Sequence, residues 1–247
     1  MTDRVVLVTG AAQGLGATIA RRFHAVGYRV ALGDVHADAA RQLARALSAD
    51  GSRAIALALD VCEKSDFEAA RDAILTVWQR VDVLVNNAGR AQVVPVMDVS
   101  AEQFGRAVDV NLRSVLFGWQ VFGRHFGAHG GGRIVNVASL AGQNGGTATG
   151  AHYAASKAGV LNLTKVFARD LAARGVTVNA VSPGPMDLPA VHDSVPADTL
   201  RKLVAGIPAG RLGNADFVAD VAVLLAAEHA WFTTGACWDV NGGLFMR

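Results

Sequence analysis

A tyrosine and a lysine stand four residues apart in the stretch H-Y-A-A-S-K-A-G, His152 to Gly159, with only Ala154, Ala155 and Ser156 between them. On a helix that spacing puts the phenol and the amine on one face. A free phenol ionises near pH 10 and is a poor base at neutrality. A cation one turn away favours the phenolate, and bringing the phenol to about 7 takes about 3 units, on the order of 4 kcal/mol. Two readings stay open on these residues alone. The pair is an acid–base unit with space cleared around it, or it is an ordinary Tyr–Lys pair on a solvated helix of good helix formers.

A second stretch suggests a ligand. In T-G-A-A-Q-G-L-G, Thr9 to Gly16, glycines stand at positions 10, 14 and 16, with Gln13 and Leu15 between them. Glycine lets the backbone turn sharply and approach a bound group closely, and a helix opening there offers free N–H groups to a pyrophosphate. Asp34, in A-L-G-D-V, lies about 20 residues further on, where a carboxylate accepts from ribose hydroxyls and repels a 2′-phosphate.

These residues need elements to position them. R-V-V-L-V-T, Arg4 to Thr9, reads as a buried strand, and Ile19, Phe23 and Val26 then recur at helical spacing. Further strands are expected at 28–32, 54–59, 83–86, 134–137, 176–181 and 237–240. Helices are expected at 37–47, 66–78, 101–126 (one or two), 153–173 and 215–227. Strands and helices in this rhythm give a parallel sheet covered on both faces, and strands without alternation fit burial on both sides. The chain is expected to be one domain, residues 1–247. Ser182 to Ala197 reads as one long irregular stretch, holding four of the six prolines. It is expected to form a substrate lid extending to about residue 212.

Composition narrows the classes. Of 247 residues, 51% are hydrophobic and 18% charged, enough for a large core and against disorder. A net charge of +2 with no long basic run sets nucleic acid aside as a partner. Cys62 and Cys237 form neither a metal spacing nor a disulfide framework, so no metal is expected and a reducing cytoplasm is the default. No apolar run approaches the length of a membrane span.

The spacing T-G-x-x-x-G-x-G resembles the signature of the short-chain dehydrogenase/reductase family, and further motifs extend the resemblance along nearly the whole chain. N-N-A-G, Asn86 to Gly89, ends the fourth strand; Asn111, Ser139, Tyr153 and Lys157 match the family's Asn-Ser-Tyr-Lys set; T-T-G-A-C-W-D-V-N-G-G, Thr233 to Gly243, is similar to its C-terminal signature. The resemblance implies a Rossmann-type, doubly wound parallel α/β sheet of about seven strands and an oxidoreductase moving hydride between a secondary alcohol and a nicotinamide. Tyr153 would be the acid–base group. Ser139 would bind the substrate oxygen, Lys157 the nicotinamide ribose, and Asn111 a water linking Lys157 to solvent. The cofactor would lie against Gly10, Gln13, Gly14, Leu15, Gly16, Asp34, Val35, Asp60, Val61, Asn87, Ala88, Gly89, Pro183, Gly184 and Met186. Asp34, with no basic residue in the glycine loop, favours NAD over NADP. A homotetramer or homodimer is implied as well.

The chain departs from the family in two places. Ser139 and Tyr153 are fourteen residues apart, one more than is usual, with the extra residue expected in Gly142 to Gly150. Leu188 stands where relatives often carry a Thr that binds the nicotinamide carboxamide, which leaves the backbone of Met186 for that task. Substrate contacts are expected from Val94, Leu140, Gln143, Asn144, Leu188 and His192, and Val94, Leu140, Met186 and Leu188 suggest a largely apolar ligand. His152 is expected at the pocket rim or a subunit contact. The alternatives are an NADPH-using 3-oxoacyl carrier-protein reductase of the same family, an epimerase or dehydratase of its extended branch (for which the chain is short), and a catalytically silent dinucleotide sensor.

Overall fold

The computed structural model describes residues 3–146 and 149–247, without the side chains of residues 190 and 194. Seven strands form one parallel sheet: β1 (Val5–Thr9), β2 (Arg29–Asp34), β3 (Ala54–Ala58), β4 (Val83–Asn86), β5 (Gly132–Val137), β6 (Val176–Pro183) and β7 (Cys237–Val240). Their order is β3-β2-β1-β4-β5-β6-β7. The order reverses direction between β1 and β4, and the crevice at the carboxyl ends there is where such sheets bind ligands. The expected fold class is therefore observed.

Helices α1 (Gly14–Ala25), α2 (Ala37–Leu47) and α10 (Ala215–Ala226) cover one face. Helices α3 (Lys64–Trp78), α5 (Ser114–Ala128) and α7 (Ala151–Leu171) cover the other. Burial on both sides explains why β1 and β4 are near-continuous apolar runs; β5 and β6 are equally buried but also carry Arg133, Asn136, Thr177, Asn179 and Ser182. The edge strands differ: β3 and β7 are only partly buried, because each has a neighbour on one side alone.

Between β4 and α5 come α4 (Ala101–Val108) and a π-helical turn, Asp109–Arg113. Ser100 and Gln103 form a capping box that starts α4. A short helix α6 (Ala141–Asn144) follows β5. The stretch read as irregular, 182–197, contains a helix, α8 (Pro189–Ser194), with Pro189 in its first turn, and α9 (Ala197–Ala205) follows. Proline's fixed φ suits a helix start, so a proline-rich run marked helix beginnings here rather than loop alone. Both cysteines are free. No helix among the described residues is long and apolar enough to cross a membrane.

Candidate active site

The glycine loop is built for close approach. Gly10 has φ +63°, and a Cβ there would stand 2.8 Å from Ala88 Cα. A Cβ on Gly16 would overlap the Gly10 carbonyl oxygen. Gly14, φ +56°, has open space where a Cβ would point. Helix α1 begins at Gly14 with no side-chain cap from Gln13 and no acidic residue in its first turn. Its first N–H groups therefore face the open side of the loop without a competing anion. The loop is held by Asn87, whose Nδ2 donates to the carbonyls of Thr9 at 2.9 Å and Gly10 at 3.1 Å. Thr9 Oγ1 accepts from the N–H groups of Asn87 and Ala88, at 3.0 and 3.1 Å. Thr9 thus ties β1 to β4, a role that the sequence reading did not assign.

A cleft of about 640 Å³ runs from this loop along the strand ends, lined by Gly10, Gln13, Leu15, Gly16, Asp34, Val35, Asp60, Val61, Asn87, Ala88 and Gly89. Asp34 is buried, and each of its oxygens accepts one backbone bond: Oδ2 from Ala12 N–H and Oδ1 from His36 N–H, each at 2.9 Å. Each oxygen keeps a lone pair for a further donor. Asp60 is exposed and shapes its turn by accepting from Cys62 N–H at 2.9 Å. Val35 is exposed on the cleft wall. The shape, the free helix N-terminus and the carboxylate at the end of β2 fit a dinucleotide.

At the inner end of the cleft stands Gly89, where an added Cβ would lie 3.1 Å from Asn111 Oδ1 and 3.4 Å from Lys157 Nζ. Asn111 sits fully buried in the π-turn. Its side chain clasps Arg90 on both sides, accepting from the N–H at 2.7 Å and donating to the carbonyl at 3.0 Å. It also donates to Ser156 Oγ at 3.1 Å, which in turn donates to the Tyr153 carbonyl at 2.7 Å. Ser156, inside the opening motif but unassigned from sequence, thereby links Asn111 to the tyrosine's helix.

Tyr153 and Lys157 share a face of α7, with Nζ 5.8 Å from the ring centroid. Nζ donates to the Val137 carbonyl at 2.7 Å. Burial lowers the Lys157 pKa to about 8. Burial also raises the Tyr153 phenol above its usual value, and the Ser139 hydroxyl beside it pulls the other way. Ser139 Oγ also accepts from Ala141 N–H at 3.1 Å, at the start of α6.

Behind the site lies a closed polar set. Asn136 Oδ1 accepts from Asn86 Nδ2 at 2.9 Å and Trp119 Nε1 at 3.2 Å, and its Nδ2 donates to Thr164 Oγ1 at 3.0 Å. All these donors are buried and paired, which fixes β4, β5, α5 and α7 relative to one another.

The expected substrate residues separate. Leu188 lines a second cavity of about 860 Å³, with Thr18, Pro185, Asp187, Asn214 and Asn241. Met186 is buried, and its carbonyl accepts from Leu188 N–H at 3.1 Å. Pro183 accepts from Leu140 N–H at 2.9 Å, and Gly184 N–H donates to Val240 at 2.9 Å, which fastens the end of β6 to the start of α6 and to β7. His192 Nε2 pairs with Asp187 Oδ1 at 2.6 Å on the exposed surface of α8 and the turn before it. Val94 is partly buried in the loop after β4, and exposed Asn144 closes a turn onto Gly146 N–H. Gln143 is a correction: its amide turns to Asp239 and Ser182. His152 is another. It is 2% exposed, neither ring nitrogen has a partner, and its ring packs beneath Gly150. The extra residue before Tyr153 cannot be followed through positions 147 and 148, which lie outside the described residues.

Residues 10–245 match the family model described as enoyl-(acyl carrier protein) reductase. The chain belongs to the short-chain dehydrogenase/reductase family. It is an oxidoreductase of that family, and its relatives are named accordingly. It is 40% identical over 242 residues to cis-4-hydroxycyclohexanecarboxylate dehydrogenase of Sinomonas cyclohexanicum, covering 98% of this chain and 96% of that one. It is 37% identical over 252 residues to D-threitol dehydrogenase of Mycolicibacterium smegmatis, covering 100% and 95%. It is 34% identical over 245 residues to the 3-oxoacyl-(acyl-carrier-protein) reductase of Escherichia coli, covering 98% of each.

Proposed function

We propose that this short-chain dehydrogenase/reductase interconverts a secondary alcohol and a ketone with NAD(H), as a single domain in which Tyr153 is the acid–base residue. The observation that carries the reading is the convergence of the Tyr153 phenol, the Ser139 hydroxyl and the Lys157 ammonium at the inner end of a dinucleotide-shaped cleft. When bound, the nicotinamide supplies the hydride acceptor or donor and, oxidised, a positive charge.

The residues divide the remaining work. The Gly14–Gly16 amides bind the diphosphate, and Asp34 receives the adenosine ribose hydroxyls. Ser139 Oγ orients the substrate oxygen and steadies developing alkoxide charge. In oxidation the Tyr153 oxygen takes the hydroxyl proton, and in reduction it returns one. Lys157 holds the nicotinamide ribose and adds positive charge beside the phenol. Asn111, by clasping Arg90, keeps the path from Lys157 toward solvent in shape.

Asp34 supports NAD over NADP through its charge beside the ribose. Relatives named for a cyclic hydroxy acid and a polyol support a hydroxyl-bearing substrate. The second reading is a 3-oxoacyl carrier-protein reductase, favoured by the similarity to the Escherichia coli enzyme; its usual NADPH sits poorly with Asp34. Two free cysteines suit a cytoplasmic location. The open edge at β7, with Trp238 partly exposed, suits assembly into dimers or tetramers, which light scattering after size exclusion would measure.

The deciding experiment is a panel of secondary alcohols, polyols, hydroxy acids and 3-oxoacyl thioesters with NAD(H) and NADP(H), followed by absorbance of the reduced nicotinamide. Turnover of simple alcohols or ketones with NAD(H) is expected. A tenfold preference for NADPH on thioesters would replace the first reading by the second. Cofactor binding without turnover would leave a dinucleotide sensor.

A further inference from the structure

Gln143 leaves the substrate side and enters a chain of polar contacts that ends at Arg247. Arg247 Nε donates to Asp239 Oδ2 and its Nη2 to Oδ1, both at 3.0 Å, a forked pair. Nη2 also reaches the Cys237 carbonyl at 3.1 Å. Asp239 Oδ1 accepts from Gln143 Nε2 at 2.6 Å. Gln143 Oε1 accepts from Ser182 Oγ at 3.0 Å, and Ser182 is fully buried at the end of β6. Burial alone would raise the Asp239 carboxyl, but hydrogen bonds from Arg247 and Gln143 outweigh it and hold the carboxyl below its usual range.

Gln143 belongs to α6, and α6 begins two residues after Ser139. On its other side α6 presses against the catalytic helix: a Cβ on Gly142 would stand 2.6 Å from the Lys157 carbonyl carbon. So α6 is wedged between Lys157 on α7 and Asp239 on β7, and Ser139 rides at its start. The α6 amides of Gly142, Gln143 and Asn144 donate back to Ser139 and Leu140, so the seat of this turn is also the seat of the serine.

We propose that Asp239 is a positioning residue for the reacting centre: backed by Arg247, it holds Gln143, and through α6 it holds the Ser139 hydroxyl in register with Tyr153. The proposal rests on the alcohol–ketone reading of the site, and it places one determinant of that site on the edge strand of the sheet.

The test pairs two readouts on Asp239→Ala, Gln143→Ala and Arg247→Ala. Hydrogen exchange of the amides at Gly142 to Gly145 needs no turnover, so it decides the strut whatever the chain catalyses. About tenfold faster exchange there, with β4 and β5 unchanged, is expected. With the alcohol identified by the screen, kcat is expected to fall about tenfold or more, as small misplacements do, while the Kd for NADH stays within about twofold. Asp239→Asn, which keeps an acceptor for Gln143, and Arg247→Lys, which keeps the charge, should each recover most of the rate. Unchanged exchange overturns the strut. Faster exchange with unchanged kcat overturns the positioning role. Loss of NADH affinity in parallel with kcat, or no recovery in the conservative variants, would reduce the contacts to general stability. Should Asp239→Ala not fold, Arg247→Ala, at the exposed end, carries both readouts.

Discussion

Lys157 Nζ donates to the carbonyl oxygen of Val137 at 2.7 Å, so this amine is tethered to the end of β5, the strand that delivers Ser139 two residues later. Burial brings its pKa from 10.5 to about 8. The folded-state value lies below the unfolded one, so between the two the unfolded chain binds the extra proton and stability rises with pH. Below about pH 8 both states are protonated and the dependence vanishes. The difference in Tm between wild type and Lys157→Met should therefore be flat from pH 6 to 7.5 and move in favour of wild type from pH 8 to 10. A flat difference throughout would mean that the amine is not desolvated.

Tyr153→Phe keeps the ring and removes the hydroxyl that the proposed mechanism uses as proton carrier. The kcat with the alcohol found in the screen should fall by about 10²–10⁴. NADH affinity, read by fluorescence titration, should change by less than about threefold. A variant that keeps a tenth of its kcat would remove Tyr153 from the acid–base role.

Asp34 binds two backbone amides besides facing the cleft. Asp34→Ala should cost about 1–3 kcal/mol in urea unfolding, because the Ala12 and His36 N–H groups lose their acceptor. The ratio of NADP(H) to NAD(H) affinity should also rise at least about tenfold. Preference unchanged in a folded variant would move the discrimination elsewhere in the cleft.

His152 is buried with both ring nitrogens unpaired. A neutral imidazole always carries one N–H, and an unpaired buried donor is destabilising. His152→Leu should raise the unfolding free energy by about 1 kcal/mol, measured by urea titration at pH 7.5. A loss of 2 kcal/mol or more would show that the ring makes contacts worth more than its missing hydrogen bonds.

Much of the scaffold was legible because its signals are local. Val83–Asn86, Cys237–Val240 and Ala37–Leu47 end where expected, since each apolar or periodic run stops at a polar or small residue. Tyr153 and Lys157 meet because one helix carries both. What failed to show in the sequence depends on distant partners. Gln143 and Asp239 are 96 residues apart, and no spacing rule joins them. His152 was expected at the pocket rim or a subunit contact because neighbours on a helix diverge by about 100°; that argument says where a side chain points, not whether Gly150 and the loop after β4 cover it.

The π-turn at Asp109–Arg113 inserts one residue into what is otherwise a continuous helix from α4 into α5. Deleting a residue there would let the two helices join in regular register, a change local helix energetics would favour. It would also turn Asn111 about 100° away from Arg90 and Ser156. In this segment chain length is therefore itself a functional variable: of all one-residue deletions, this is one that the helix tolerates and the site does not.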